Sequence, residues 1–183
     1  MSNIEAYLAK ISRALKPAAE ETDADAAVAL LLRAHEQNVE ILFVKRVENP
    51  RDFWSGQVAL PGGRHEIKDE NLRQTAIRET FEETGMDLTG ECRFLGALKV
   101  FTSITHRVRV QPFVFFLEHE VSIKLNPSEL EEYAWIEPRK LSENRGTAKF
   151  SFGEVPSFNV DKYRIWGLTY RILNEFLALL KAP

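Results

Sequence analysis

The residues best suited to chemistry are in one short run, Arg78-Glu79-Thr80-Phe81-Glu82-Glu83-Thr84-Gly85. In a helix each residue advances about 100°. With Glu79 set at zero, Glu83 falls near about 40° and Glu82 near about −60°. Three carboxylates then share one side of a single turn. Ile77 and Phe81 fall close to the opposite side, which is expected to pack on a core. Arg78 stands four residues before Glu82 and can bridge to it. Crowding of like charges costs about 0.2–0.5 kcal/mol per i,i+4 pair, and several-fold more when the site is desolvated. A divalent cation removes that cost. Mg²⁺ takes carboxylate oxygens and keeps waters for bridging to phosphates, and Mn²⁺ suits the same ligands. A lone acidic cluster would be a solvated helix face. Here a diglycine, Pro61-Gly62-Gly63, precedes it and Gly85 follows it.

These acids need a frame. Residues 70–83 contain no Gly or Pro and stop at Gly85, so a helix is expected there. Val58, Ala59 and Leu60 read as a short strand ending at the diglycine. Glycines at that bend let backbone approach a ligand and can offer a carbonyl to a metal. Residues 26–32 and 39–44 read as two antiparallel strands joined through AHEQN. Residues 92–101 and 108–117 read as further strands. Residues 129–135 fit either a short helix or a strand, and 144–158 reads as loop and edge strand. Ile4, Leu8, Ile11 and Leu15 form a helical stripe within residues 1–16, which Pro17 stops. Ile165, Leu168, Ile172, Phe176 and Leu179 form another within residues 163–180. The organisation expected is an N-terminal helix and acidic linker over 1–25, then one domain over 26–183 that includes the C-terminal helix. Five to seven strands with three helices make an α+β or α/β fold with mixed strand pairing.

Composition narrows the function. The chain has 183 residues, 44% hydrophobic and 28% charged, with formal net charge −3. That is the mix of a globular domain. No basic stripe with interleaved aromatics is present, so no nucleic acid is expected as partner. No apolar run reaches the roughly 18 residues of a membrane span, and no membrane partner or cleaved secretory signal is expected. The single cysteine, Cys92, excludes an intrachain disulfide and fits a reducing, cytoplasmic setting. The four histidines are scattered, and only His65 adjoins the glycine bend.

The pattern Gly63-x6-Glu70-x7-Arg78-Glu79-Thr80-x-Glu82-Glu83-x-Gly85-Met86 resembles the box of the Nudix hydrolases. The family pattern places five residues between the glycine and the first acid. Here there are six, or five if Asp69 is counted. The resemblance implies an α+β fold, an α/β/α sandwich around a mixed sheet. It implies that Glu79 and Glu83 bind Mg²⁺ or Mn²⁺, with Glu82 as ligand or supporting acid, Arg78 orienting them, and the carbonyl of Gly62 or Gly63 completing the coordination. Glu70 would either act in the site or complement the helix dipole in its first turn. The activity implied is hydrolysis of a diphosphate linkage in a small nucleoside diphosphate derivative by water attack on phosphorus. The base is open between Glu82 and the segment bearing Glu129, Glu131 and Glu132.

A wider stretch, ILFVKRVENPRDFWSGQVALPGG through IWGLTYRIL, is similar to the coenzyme A pyrophosphatase branch. In that branch a Ser follows the arginine and a Phe precedes the Pro. Here Val47 follows Arg46 and Leu60 precedes Pro61. The resemblance implies coenzyme A or an acyl derivative as one substrate, with these two positions departing from the branch. ADP-ribose, dinucleotides or (d)NTPs are the alternative, and a module that senses a nucleotide without turnover is a third. Lys45, Arg46, Arg51 and Arg64 flank the bend, and Arg107 and Arg109 are expected to share one face of a strand. Arg46 and Arg64, with Gly62, are expected to contact substrate, because the planar guanidinium suits phosphate. Phe53 and Trp54 read as closing a core edge or a dimer interface, or else as a base-stacking pair. Either amphipathic terminal helix could cover the sheet or build a homodimer.

Overall fold

The computed structural model describes residues 3–17, 23–49, 55–104 and 107–181. The chain begins with α1 (Asn3–Ala14), then the hairpin β1 (Ala26–His35) and β2 (Asn38–Arg46). Two short strands follow, β3 (Val58–Ala59) and β4 (Gly62–Arg64), and lead into α2 (Leu72–Thr84). Next come α3 (Leu88–Glu91), β5 (Cys92–Ala97), β6 (Phe101–Thr102), β7 (Arg109–Leu117), β8 (Leu130–Ile136) and α4 (Pro138–Glu143). The chain ends with β9 (Arg145–Phe150), β10 (Gly153–Val160), β11 (Tyr163–Trp166) and α5 (Gly167–Lys181).

An eight-stranded sheet carries the fold. Its path is β3-β2-β1-β7-β5, with β4 beside β1, β6 beside β7 and β8 beside β2. β1 and β7 run parallel from Ala26↔Val110 to Arg33↔Leu117, and the other pairings are antiparallel, so the sheet is mixed. Side chains alternate between its faces. Leu30, Leu32, Ile41 and Phe43 enter one core, and Ala27, Ala29, Leu31 and Leu42 enter the other. The first core is closed by α1, α5 and a second sheet, β9-β10-β11. The second is closed by α2. Leu8, Ile11 and Leu15 of α1 are buried with Ile172, Leu173, Phe176 and Leu177 of α5. The two stripes thus cover the sheet, and Lys10 Nζ donates to Leu180 O where the helices meet.

α2 starts later than the sequence suggests. Asn71 caps it, its side-chain oxygen accepting from Gln74 N, while Glu70 stays outside and exposed. At the other end Gly85 adopts φ 72° and its N–H donates to Phe81 O. The face of α2 that meets the core also differs from the one expected. Leu72, Ala76, Thr80 and Glu83 are buried, Ile77 is half-buried and Phe81 is 55% exposed. The helix lies on the alanines of β1, and the small Ala76 and Thr80 permit that closeness. The buried hydroxyls of Thr80 and Thr84 donate to Ala76 O and Thr84's own i−4 partner, Thr80 O. They leave no polar atom stranded.

Other differences have local causes. Within residues 129–135, where helix and strand both fit, Leu130 onward is strand β8, paired with β2. Residues 144–158 form two paired strands, and α3 and α4 are short helices that no periodicity marks. The C-terminal helix begins at Gly167. Tyr163–Trp166 is strand, and Ile165 falls on the later helical stripe by coincidence of spacing. The diglycine is itself a strand, because Gly62 and Gly63 pair with Val28 and Ala27. Arg107 has φ 53° and precedes β7, so it does not alternate with Arg109 as a strand would require.

The strap from α1 to the sheet depends on Gly96. Its φ is 140°, and a Cβ there would lie 2.7 Å from Leu15 Cβ and 2.8 Å from Lys16 O. Lys16 exchanges two backbone hydrogen bonds with Ala97 at this point. Gly96→Ala should lower stability by about 1–3 kcal/mol, read as a reduced urea midpoint with an unchanged m-value.

Candidate active site

The site forms where α2 lies over β4 and the start of β1. Glu83 is 3% exposed, and Gly62 N–H donates to its Oε2 at 3.0 Å. Arg46 Nη1 stands 3.9 Å from its Oε1. Gly62 has φ 148°, and a Cβ there would lie 2.3 Å from Ala27 O. At Gly63 a Cβ would lie 2.4 Å from the carboxyl carbon of Glu79. The space a side chain would take at Gly63 is therefore filled by the Glu79 carboxylate. Burial pushes the Glu83 carboxyl up to about 8. Gly62 N–H and Arg46 oppose that rise, and the charges of Glu79 and Glu129 add to it. Glu79 is raised by burial too, against the pull of Arg78.

Arg78 ties the acids together. Its Nε donates to Asp69 Oδ1 at 2.8 Å and its Nη2 to Asp69 Oδ2 and Arg64 O, both at 3.0 Å. Its Nη1 donates to Glu79 Oε1 at 2.9 Å and Glu82 Oε2 at 3.0 Å. Asp69 is 6% exposed and also accepts from Thr75 Oγ1 and Glu66 N. The Arg78 guanidinium holds its carboxyl well below the usual carboxylate range. Asp69 thus occupies the place expected for Glu70, which is exposed on the loop before the helix cap. The five-residue spacing from Gly63 was the available signal for Asp69. His65 Nδ1 lies 2.9 Å from Thr75 Oγ1, extending this network beneath the bend.

The remaining candidates separate. Of the three acids on the later segment, Glu129 is the one whose charge raises Glu79 and Glu83. It is placed by a loop that docks on the end of α2, where Lys124 N donates to Thr84 O and Asn126 N to Glu83 O, both at 2.9 Å. Asn126 Nδ2 then donates to Glu129 Oε1 at 3.0 Å. Glu131 and Glu132 instead pair with Lys45, and Glu132 also with Lys162. Arg109 pairs with Asp23 away from the acids. The Arg64 side chain is exposed, and its carbonyl serves Arg78. Arg51, Phe53, Trp54 and His106 lie outside the described residues.

The donors fit a hard dication. Glu79, Glu82 and Glu83 offer carboxylate oxygens on one helix, the oxygen-only chemistry that Mg²⁺ and Mn²⁺ take. Among the described residues no three such side chains are already drawn to ligand spacing. Glu79 faces Arg78, and Glu83 faces Gly62 and Arg46.

Two outcomes test this electrostatic arrangement. Asp69→Asn should destabilise the fold far more than Glu70→Gln, because only Asp69 is a buried partner of Arg78. For Glu83, a carboxyl raised in the folded state favours folding while protonated. Its contribution is present below the ordinary carboxylate range and is lost as pH rises through about 8. Thermal melts in EDTA at pH 5 and pH 8 should show Glu83→Gln raising Tm at pH 8 and having much less effect at pH 5.

Comparison with known proteins agrees with this geometry. The NUDIX domain matches residues 22–154. An uncharacterised protein of Schizosaccharomyces pombe is 40% identical over 101 residues, covering 52% of this chain and 31% of that one. The peroxisomal coenzyme A diphosphatase of Caenorhabditis elegans is 29% identical over 159 residues, covering 85% and 67%. The human mitochondrial coenzyme A diphosphatase is 28% identical over 152 residues, covering 78% and 63%. The chain thus spans from about a third to two thirds of the length of these relatives. Among solved structures, a Nudix hydrolase of Alicyclobacillus acidocaldarius superposes with TM-score 0.58 at 21% identity, covering 88% of this chain and 94% of that one. The NUDIX domain of Shewanella oneidensis NrtR superposes with TM-score 0.50 at 23% identity, covering 78% and 88%. These two share the α+β fold. With the matched span running from the linker through β9, and the acidic helix, the paired diglycine and the mixed sheet all inside it, the chain belongs to the Nudix family.

Proposed function

We propose that this protein hydrolyses a diphosphate linkage in a nucleoside diphosphate derivative, with Mg²⁺ or Mn²⁺ held by Glu79 and Glu83, supported by Glu82 and the Gly63 carbonyl. The observation that carries this reading is Glu83, a buried carboxylate set between the Gly62 N–H and Arg46, with Glu79 beside it. Acids confined in this way are costly without a cation between them. The metal would supply charge neutralisation on the phosphoryl oxygens and a more acidic water.

The chain's own groups do the rest. Arg46 binds the diphosphate from the strand side, and Arg64 reaches it from β4. Arg78 keeps Glu79 and Glu82 aligned and does not itself meet the substrate. Attack of water in line on one phosphorus forms a new P–O bond and breaks the anhydride P–O bond, giving two phosphate monoesters. The proton leaving the water oxygen goes to a carboxylate near the site. Glu129 is the base we favour, since its loop is bonded to the end of α2 and its charge reaches both Glu79 and Glu83. Glu82 already accepts from Arg78 at 3.0 Å and is 46% exposed, so it serves better as a supporting acid.

For the substrate we propose coenzyme A or an acyl derivative. The similarity to two relatives named coenzyme A diphosphatases supports it, as does Arg46 in its place beside Glu83. A cytoplasmic setting is proposed with it.

The test is a panel of coenzyme A, ADP-ribose, dinucleotides and nucleoside triphosphates with Mg²⁺ and with Mn²⁺, products identified by mass. Cleavage of coenzyme A to 3′,5′-ADP and a phosphopantetheine is expected. AMP from another substrate at higher kcat/KM would move the protein to the ADP-ribose or dinucleotide reading. Glu83→Gln should lower kcat by about 100-fold or more, the scale for losing a group that stabilises transition-state charge. Undiminished turnover by that variant would remove the metal assignment.

A further inference from the structure

Thr75, in the first turn of α2, is fully buried, and the hydrolysis proposed above makes no use of its hydroxyl. Thr75 Oγ1 lies 2.9 Å from Asp69 Oδ2 and 2.9 Å from His65 Nδ1. The carbonyl of Asn71, one turn back, is farther away at 3.4 Å. One hydroxyl proton has to serve these contacts, so counting protons fixes the direction of each bond.

Asp69 accepts from Arg78 Nε at Oδ1, and from Arg78 Nη2 and Glu66 N–H at Oδ2. The guanidinium keeps this carboxylate ionised, so it brings no proton of its own. Two buried oxygens 2.9 Å apart need a proton between them, and here Thr75 is the group that has one. Thr75 therefore donates to Asp69. A neutral imidazole carries a single N–H, on either nitrogen. With the Thr75 proton committed to Asp69, the contact to His65 is a hydrogen bond only when Nδ1 is the donor. His65 is thus fixed with its proton on Nδ1, and its backbone N–H, donating to Asp25 O at 3.0 Å, anchors the residue to the sheet.

The consequence falls on Arg78. Asp69 holds Nε and Nη2 with one carboxylate oxygen each, a two-point grip that sets the plane of the guanidinium. Nη1, the remaining nitrogen, is then turned to Glu79 and Glu82 at 2.9 Å and 3.0 Å. The grip needs the Asp69 carboxylate to keep its own plane. Besides Arg78, its donors are Glu66 N–H on the loop and Thr75 Oγ1 on the helix. Of these two, Thr75 ties that plane to α2, the element that carries the acids.

We propose that Thr75 is a positioning residue of the site: its hydroxyl, seated on His65 Nδ1–H, sets the plane of Asp69 and, through Arg78, the alignment of Glu79 and Glu82. The proposal rests on the diphosphatase reading above, and deepens it by naming the group that orients its acids.

The experiment has a spectroscopic arm, a metal arm and a kinetic arm. Two-bond ¹H–¹⁵N spectra of the metal-free chain, with His65 assigned by its loss in His65→Gln, should show a ring protonated at Nδ1. In Thr75→Val, which keeps the shape and removes the hydroxyl, that preference should vanish. Mn²⁺ titration followed by electron paramagnetic resonance should show roughly ten-fold weaker binding in this variant, and kcat should fall by a similar factor with KM nearly unchanged, the scale for partners that hold metal-binding side chains in place. Thr75→Ser should restore all three readouts. Thr80→Val is the comparison, since Thr80 is equally buried in α2 but donates to Ala76 O and not to an acid. It should leave Mn²⁺ affinity and kcat at wild-type values. A wild-type ring protonated at Nε2 alone would overturn the proposal, and that measurement decides it even where Thr75→Val fails to fold. Unchanged Mn²⁺ affinity and kcat in Thr75→Val would overturn it too, leaving the hydroxyl a packing group, as would equal losses in Thr75→Val and Thr80→Val. If the wild type cleaves no diphosphate, the activity reading fails by itself, because the ring spectrum and the Mn²⁺ titration test Thr75 without turnover.

Discussion

A carboxylate buried under a helix is the constraint around which this molecule is arranged. Glu83 lies at the centre of the face that α2 turns to the sheet, where a leucine would ordinarily sit. Its burial is tolerable only because the strand beneath offers an N–H at Gly62 and the end of β2 offers Arg46. The rest of α2 adapts to it. Ala76 and Thr80 are small, the alanines of β1 are small, and Phe81 is left outside. A helix lying this close to a sheet needs glycine in the crossing strand, and both Gly62 and Gly63 would meet other atoms well inside contact distance if they carried a Cβ.

Arg78 does for orientation what Gly62 does for burial. One guanidinium serves four acceptors on three elements: Asp69 on the loop, Arg64 O on β4, and Glu79 and Glu82 on α2. A planar fork with five donors can do this and a lysine cannot. The loop from His65 to Asn71 is therefore tied down through Asp69, although Ile67 at its tip is fully exposed. A similar economy brings Glu129 in. Its loop closes the open carbonyls at the end of α2, so capping the helix and delivering a fourth acid are one set of bonds.

In the reading proposed here metal and diphosphate belong to the α2 face of the central sheet. The opposite face, under α1 and α5, is core. The short strand β4 lies beneath the acids, where Gly62 N–H meets Glu83 and Gly63 leaves room for Glu79, which is why a three-residue strand with two glycines matters more than its length suggests.

Several features were legible in the residues alone. Helical geometry is local, so the shared side of Glu79, Glu82 and Glu83 and the Arg78–Glu82 bridge follow from spacing. The stop at Gly85 and the hairpin of β1 and β2 are likewise set by neighbours in the chain. Periodicity also exposed the stripes of α1 and α5. It erred where a short strand continued a helical spacing by chance, at Ile165, and it had nothing to read in α3, α4 or the β9–β10 pair. The choice of Asp69 over Glu70 needed the reach of Arg78 in space, since both are acids one position apart. That Glu83 faces the interior while Phe81 does not depended on what lies under the helix. The selection of Glu129 from a run of three acids depended on a loop docking on a helix far from it in sequence. Backbone bonding between neighbours sets the first group. Long-range packing and the energy of burying charge, which no local spacing encodes, set the second.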